Sequence, residues 1–290
     1  MRQTGIATLW PVWLLAAVML VFFLAPIAVF LGYSLVTFVQ PGLVEPVPTL
    51  ENFARLFRDG YGGQVFATTL RVGVMVTLVC IVLGYPIAHF VARETGWRRS
   101  VVLLIVTASL FTNLIVRTYG WIVMLSPRGV VNSALMQSGV TEAPLRLMFN
   151  EFGVVVGLAQ IMLPIFILVL AVTLSTIPRT LEDAAEICGA GPVSRFWRVT
   201  LPLSLPGVIN GGLLVFVLSI SNFITPDFLG GGRVLMVGSL IYQLVSRTLN
   251  YPFAAAVAVA MLVLALLLLA AVLLSRALLA RFSAGRRVTA

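Results

Sequence analysis

Six stretches of this chain are each long and apolar enough to cross a lipid bilayer, and that repetition constrains the fold more than any other feature. A helical span needs about 20 predominantly apolar residues. The runs extend approximately over residues 10–38, 65–92, 100–125, 152–176, 207–228 and 253–280. Only helices or closed barrels satisfy the backbone in lipid, and the alternating segments of about ten residues that build a barrel are absent. The sequence therefore predicts an all-α membrane protein with six transmembrane helices. Composition agrees: 60% of the 290 residues are hydrophobic and 10% charged, against about 25% charged in soluble domains. The first run exceeds the short core of a cleaved signal peptide and reads as a retained anchor.

The formal charge of +9 arises from 19 basic residues, all of them arginine. They stand singly between apolar runs rather than as a stripe, which excludes a nucleic-acid surface and suits orientation of the chain in a membrane. With the N-terminus inside, the inner segments hold eleven: Arg2, Arg93, Arg98, Arg99, Arg179, Arg195, Arg198, Arg276, Arg281, Arg286 and Arg287. The longer outer loops hold six: Arg55, Arg58, Arg128, Arg146, Arg233 and Arg247. Both termini are thus expected in the cytoplasm. Cys80 and Cys188 have no CxxC spacing, so neither a disulfide framework nor a zinc site is expected.

One inner segment, residues 177–206, is far longer than the turn at residues 93–99. Thr180 followed by Asp183 resembles a capping box, so a short helix should begin near Leu181. It would place Leu181, Ala184, Ala185 and Cys188 on one side and Glu182, Asp183 and Glu186 around the rest, closing at Gly189 in a left-handed cap. The two alanines leave room for another surface to approach. A second helix should follow Pro192 through Phe196, Trp197 and Val199, with Pro202 and Pro206 breaking the chain before the fifth span. The acidic polar face of the first of these helices is the wrong sign for a helix that merely lies on an anionic leaflet.

Asp183-Ala184-Ala185, three residues, Gly189, nine residues, then Val199-Thr200-Leu201-Pro202 is similar to the EAA loop of ATP-binding-cassette importer permeases, with Asp for Glu and Val for Ile. Stretches at Leu114–Ile122, Gly129–Asn132 and Ser221–Gly231 resemble the spermidine/putrescine branch of that family. The resemblance implies a type I importer permease in a bacterial inner membrane. Residues 1–64 would form the first span and a periplasmic loop, 65–280 the permease core, and 281–290 a cytoplasmic tail. It further implies a coupling helix that seats Leu181, Glu182, Asp183, Ala184, Ala185, Cys188 and Gly189, with Leu201 and Pro202 behind them, on a separate ATPase subunit. Glu182 offers a second carboxylate for the contact made by Asp183. Two ATPase subunits carrying ATP and magnesium, a second permease, often a paralogue, and a periplasmic solute-binding protein complete the implied assembly. No cofactor is expected on this chain, and with no lysine it lacks the residue a P-loop uses on the β- and γ-phosphates.

Ionisable groups at membrane depth are costly and face a bundle interior or water. Arg117 lies about 12 Å from the outer end of its run at 1.5 Å per residue, and reads either as lining a pathway or subunit contact, or as pairing with a carboxylate such as Asp227. Arg71, nearer a helix end, reads as a snorkelling anchor. Asn113, Asn222, Thr225 and Asp227 add polar groups toward the outer half, and Tyr119 and Trp121 offer faces for cation-π contact. Asp227 and the aromatics suit a polyamine, whereas Arg117 would repel one. The alternatives are another amino-acid-like or cationic solute within the same importer class, or an ion-coupled secondary transporter, which would place acids at mid-span where none occurs here. An intramembrane enzyme lacks its HExxH or GxSxG signature. His89, the one histidine, reads as interfacial or core. Gly230–Gly232 and the Pro41-Gly42 pair read as outer-surface turns.

Overall fold

A computed structural model describes residues 10–58 and 60–285. Arg2, Arg286 and Arg287, expected on the inner face, lie outside the described residues. Among the described residues five helices have the length and apolarity of single membrane spans, and the count is six when a pair bent by 99° is taken as one crossing. The chain divides into two compact units, residues 1–64 with 240–290, and Val65–Ser239.

In the first unit, α1 (Trp10–Ser34) packs against α13 (Tyr251–Gly285). The apolar run that suggested a span to Phe38 ends its helix four residues early, because Val36–Gln40 forms β1, paired antiparallel with β2 (Leu43–Pro48). Pro41 and Gly42 make the turn, with Gly42 at φ 80°, a conformation that favours glycine. Behind the hairpin, α2 (Glu51–Arg58) is pinned by Asn52, whose Nδ2 donates to the carbonyls of Ser34 at 3.1 Å and Val36 at 3.0 Å. Leu56 is buried, and the Arg55 guanidinium lies 4.9 Å from the Phe253 ring centroid, a cation-π contact.

The second unit is built on α3 (Tyr61–Arg93), α7 (Glu151–Ser175) and α10 (Leu201–Ser221), with Phe166, Leu158, Leu170 and Leu174 fully buried at its centre. Apolar side chains gain little from leaving lipid, so spans associate where small residues let backbones approach. Phe166 occupies such a place. A Cβ added to Gly84 of α3 would stand 2.6 Å from its Cδ1, and one added to Gly211 of α10 would stand 3.1 Å from its Cδ2.

The third crossing is not the straight helix expected over residues 100–125. It is α4 (Trp97–Phe111) and α5 (Leu114–Leu125), continued by α6 (Val130–Gln137), with a 99° bend at the break. Asn113 makes the break stable: its side chain accepts the Ile115 N–H at 2.8 Å, capping α5. The fifth run divides in the same way. Helix α10 stops at Ser221, Asn222 accepts the Thr225 N–H at 3.1 Å, and the short α11 (Ile224–Gly230) turns back against α7. Gly231 and Gly232, both at positive φ, form the turn after it. Thr69 fastens the start of α12 (Val237–Ser246) to α3 by accepting the Val237 N–H at 2.9 Å.

Candidate functional site

The segment between α7 and α10 begins with α8 (Arg179–Ile187), about two residues earlier than Thr180 and Asp183 suggested. No capping box forms, because Pro178 is the N-cap and Thr180 already lies inside the first turn. The other end closes as expected. Gly189 stands at φ 82°, its N–H donates to Glu186 O at 2.9 Å, and the Ala190 N–H reaches Ala185 O at 3.0 Å. That pair of bonds is a Schellman closure, which satisfies carbonyls the helix end leaves free.

Helix α8 turns a narrow, mostly polar face toward the rest of the chain. Glu182 and Ala185 are half-buried, whereas Leu181, Asp183, Ala184, Ile187, Cys188 and Gly189 are exposed. Among the described residues Asp183 has no hydrogen-bond or ion-pair partner. The inward side is held by polar contacts, Glu182 bonding Arg93 and Thr200, while the exposed Glu186 pairs with Arg195.

After Gly191 the chain re-enters helix at α9 (Pro192–Arg195), where Pro192 occupies the first turn and loses no bond. A π-helical turn, Phe196–Thr200, then runs straight into α10. Pro202 and Pro206 therefore do not break the chain. Pro202 falls in the first turn of α10, directly after the wide turn in which the Leu201 N–H bonds Phe196 O. A π turn relieves the clash that a proline ring otherwise makes with the preceding turn. The result is one helical element from Pro192 to Ser221, with Leu201 half-buried and Pro202 exposed near its base. Beside that base lies an apolar cleft of about 510 Å³, walled by Tyr85, Pro86 and His89 of α3 and by Phe196, Trp197 and Leu201. His89 is thus a wall residue. The Tyr85 and Phe196 rings meet edge to face at 5.3 Å, and the Tyr85 hydroxyl bonds Ser204 Oγ at 2.8 Å.

The second candidate cluster lies at the broken crossings. Tyr119 of α5 packs on Phe228 of α11 with ring centroids 5.5 Å apart, which brings Tyr119 beside the neighbour of half-exposed Asp227. Trp121 packs against the hydrophobic core. Asn113 and Asn222 are helix caps, and Thr225 is fully buried with its hydroxyl unpartnered. Arg117 makes no ion pair with Asp227 among the described residues; its Nη2 donates to Thr112 O at 2.9 Å and to Ser109 O. Arg71 is not a solitary snorkelling group, because it pairs with Glu151 in the first turn of α7.

Sequence reasoning passed over Arg93, Thr200 and Phe228. Arg93 was counted only for topology, and Thr200 occupies the unconstrained position of the Val-x-Leu-Pro pattern. The available signal for the first two was position: Arg93 is the last residue of α3, and Thr200 the last before α10.

Residues 81–287 match the family model described as binding-protein-dependent transport system inner membrane component. The chain is 36% identical over 217 residues to the spermidine/putrescine transport system permease protein PotB of Haemophilus influenzae, covering 74% of this chain and 75% of that one. It is 33% identical over 245 residues to PotB of Escherichia coli, covering 84% and 89%. A crystal structure of a bacterial alginate ABC transporter in complex with alginate pentasaccharide-bound periplasmic protein contains a similar fold, at TM-score 0.68 and 18% identity over 90% of this chain and 92% of that one.

Proposed function

Given that this chain belongs to the family of binding-protein-dependent transport inner-membrane components and is the permease subunit of an ATP-binding-cassette importer, we propose that it moves a polyamine such as spermidine or putrescine. In this reading α8 is the coupling helix. It seats Leu181, Asp183, Ala184, Ile187 and Gly189 on a separate ATPase subunit, which holds ATP and magnesium. Two such subunits, a second permease of related sequence and a periplasmic solute-binding protein complete the importer. The chain sits in a bacterial inner membrane with both termini in the cytoplasm.

The observation that carries the coupling role is the contrast along α8. A nine-residue helix with no buried residue projects Leu181, Asp183 and Ile187, the last 87% exposed, and is joined through a closed glycine cap to a single helical element that runs into a span. A helix with no fully buried residue that carries bare apolar and acidic groups on its outer side is a surface awaiting a partner. Rigid displacement of that surface would be delivered to the bundle as a two-state shift. For the solute, the support is the identity to relatives named for spermidine and putrescine, together with Asp227 preceding Phe228, whose ring meets that of Tyr119.

The test is reconstitution. The purified chain should hydrolyse no ATP, should co-purify with an ATPase, and in proteoliposomes with its binding protein should take up radiolabelled spermidine only when ATP is supplied. Uptake driven by an ion gradient without ATP would overturn the importer mechanism. A binding protein that ignores spermidine and putrescine but holds another solute tightly would overturn the polyamine assignment alone.

A further inference from the structure

Two carboxylates stand side by side on α8 in opposite surroundings. Asp183 is exposed, whereas Glu182 turns inward, and its Oε1 accepts from Arg93 Nη2 at 2.6 Å and from Thr200 Oγ1 at 2.9 Å. The ion-paired side chains are only 14% and 19% exposed. Arg93 ends α3 and is itself fixed: its Nη1 donates to Ile177 O at 2.9 Å, and its carbonyl accepts from Arg179. Thr200 ends the π turn and is buried. One carboxylate oxygen therefore ties together the end of α3, the coupling helix and the base of the element that runs to Ser221.

Packing does not hold α8 in place, because none of its residues is buried. The chain on its far side, Gly189-Ala190-Gly191, is closed onto α8 by the cap bonds of Gly189 and Ala190, which fix that end of the helix alone. Charge-assisted bonds in a partly dehydrated setting are correspondingly stiff, and removing one partner strands the other charge away from water.

Resting on the coupling reading of α8, we propose that Arg93, Glu182 and Thr200 form a transmission clamp. Glu182 is a positioning residue: it makes a push on α8 displace α3 and α10 together, and it leaves Asp183 as the carboxylate presented to the ATPase. Without the clamp, α8 would be held to α10 through its capped C-terminal end alone, and part of the push would be spent in tilting α8.

A measurement independent of solute decides this. Spin labels at Thr180→Cys and Ser221→Cys, in a Cys188→Ser background with Cys80 buried, report the distance between α8 and the outer end of α10 in the assembled importer. In the native clamp that distance should stay single and narrow with and without ATP. Arg93→Gln and Thr200→Val should each broaden it and make its mean shift on ATP addition. The ATP hydrolysed per spermidine taken up should rise roughly threefold to tenfold, the factor for one lost hydrogen bond. The charge swap Arg93→Glu with Glu182→Arg should narrow the distribution again relative to Arg93→Glu alone. A distance that stays narrow and ATP-insensitive in both single variants, or a swap no better than Arg93→Glu, overturns the clamp. Where Arg93→Gln does not assemble, Thr200→Val decides. Failure of the coupling reading itself shows elsewhere, as an Asp183→Arg chain that still captures the ATPase fully.

Discussion

The Arg117 guanidinium, carried by α5, donates to the carbonyl oxygen of Thr112 at 2.9 Å, across the break in the third crossing, and also reaches Ser109 O. The last carbonyls of a helix have no partner within it. At a 99° bend between α4 and α5 those oxygens would face lipid or an empty crevice. Arg117 supplies both the hydrogen bonds and a positive charge at the negative end of the α4 dipole. The cation is therefore spoken for by backbone, which eases its conflict with a cationic solute.

Arg117→Ala should destabilise the bend by about 1.5–3 kcal/mol, the worth of hydrogen bonds from a charged donor. Arg117→Lys, which keeps the charge and loses the fork, should recover part of that. Denaturant midpoints of the detergent-solubilised chain check the order, native above Lys above Ala, and an unchanged midpoint in Ala would refute the capping role.

Gly189→Val should loosen the end of α8, since a β-branched residue at φ 82° costs roughly 1–2 kcal/mol. The expected result is weaker ATPase capture in co-purification with helix content of the spans intact by circular dichroism. Asp183→Arg should abolish capture more completely while leaving the thermal stability of the chain within about 0.5 kcal/mol of native, as befits an exposed substitution.

Gly84→Leu should be poorly tolerated. The first added carbon would already stand 2.6 Å from Phe166, and overpacking of this kind costs about 1–3 kcal/mol. A compensating Phe166→Ala in the same chain should restore much of the loss in a double-mutant cycle; additive losses would count against the contact.

Asp227→Asn should raise the KM for spermidine uptake by roughly tenfold if this carboxylate meets an ammonium group on its way, the scale of one charge-assisted contact. Uptake assays across a spermidine series check it. A fall in kcat at constant KM would instead make Asp227 a structural member of α11.

Much of this architecture was legible because bilayer thickness and hydrophobicity leave few choices. Residues 152–176 became α7, Glu151–Ser175, almost to the residue. The breaks were harder to see, because Asn113 and Asn222 sit in runs whose average apolarity hides a single polar cap. Pro202 and Pro206 misled for a local reason, since a π turn ahead of Pro202 absorbs its ring. The inward contact of α8 could not be read from periodicity, because the group turned inside is a carboxylate, answered by an arginine 89 positions earlier in the chain. Nothing local to Glu182 announces that partner.

The pairing of α1 with α13 sets a timetable for biogenesis. Helix α1 leaves the ribosome well before its mate, whose first residue follows Ser34 by some 217 residues. At about 5–20 residues per second, α1 waits in the bilayer for roughly ten to forty seconds with only lipid, or another protein, along its flanks. A nascent chain cut short before Tyr251 would leave it orphaned, a ready mark for quality control.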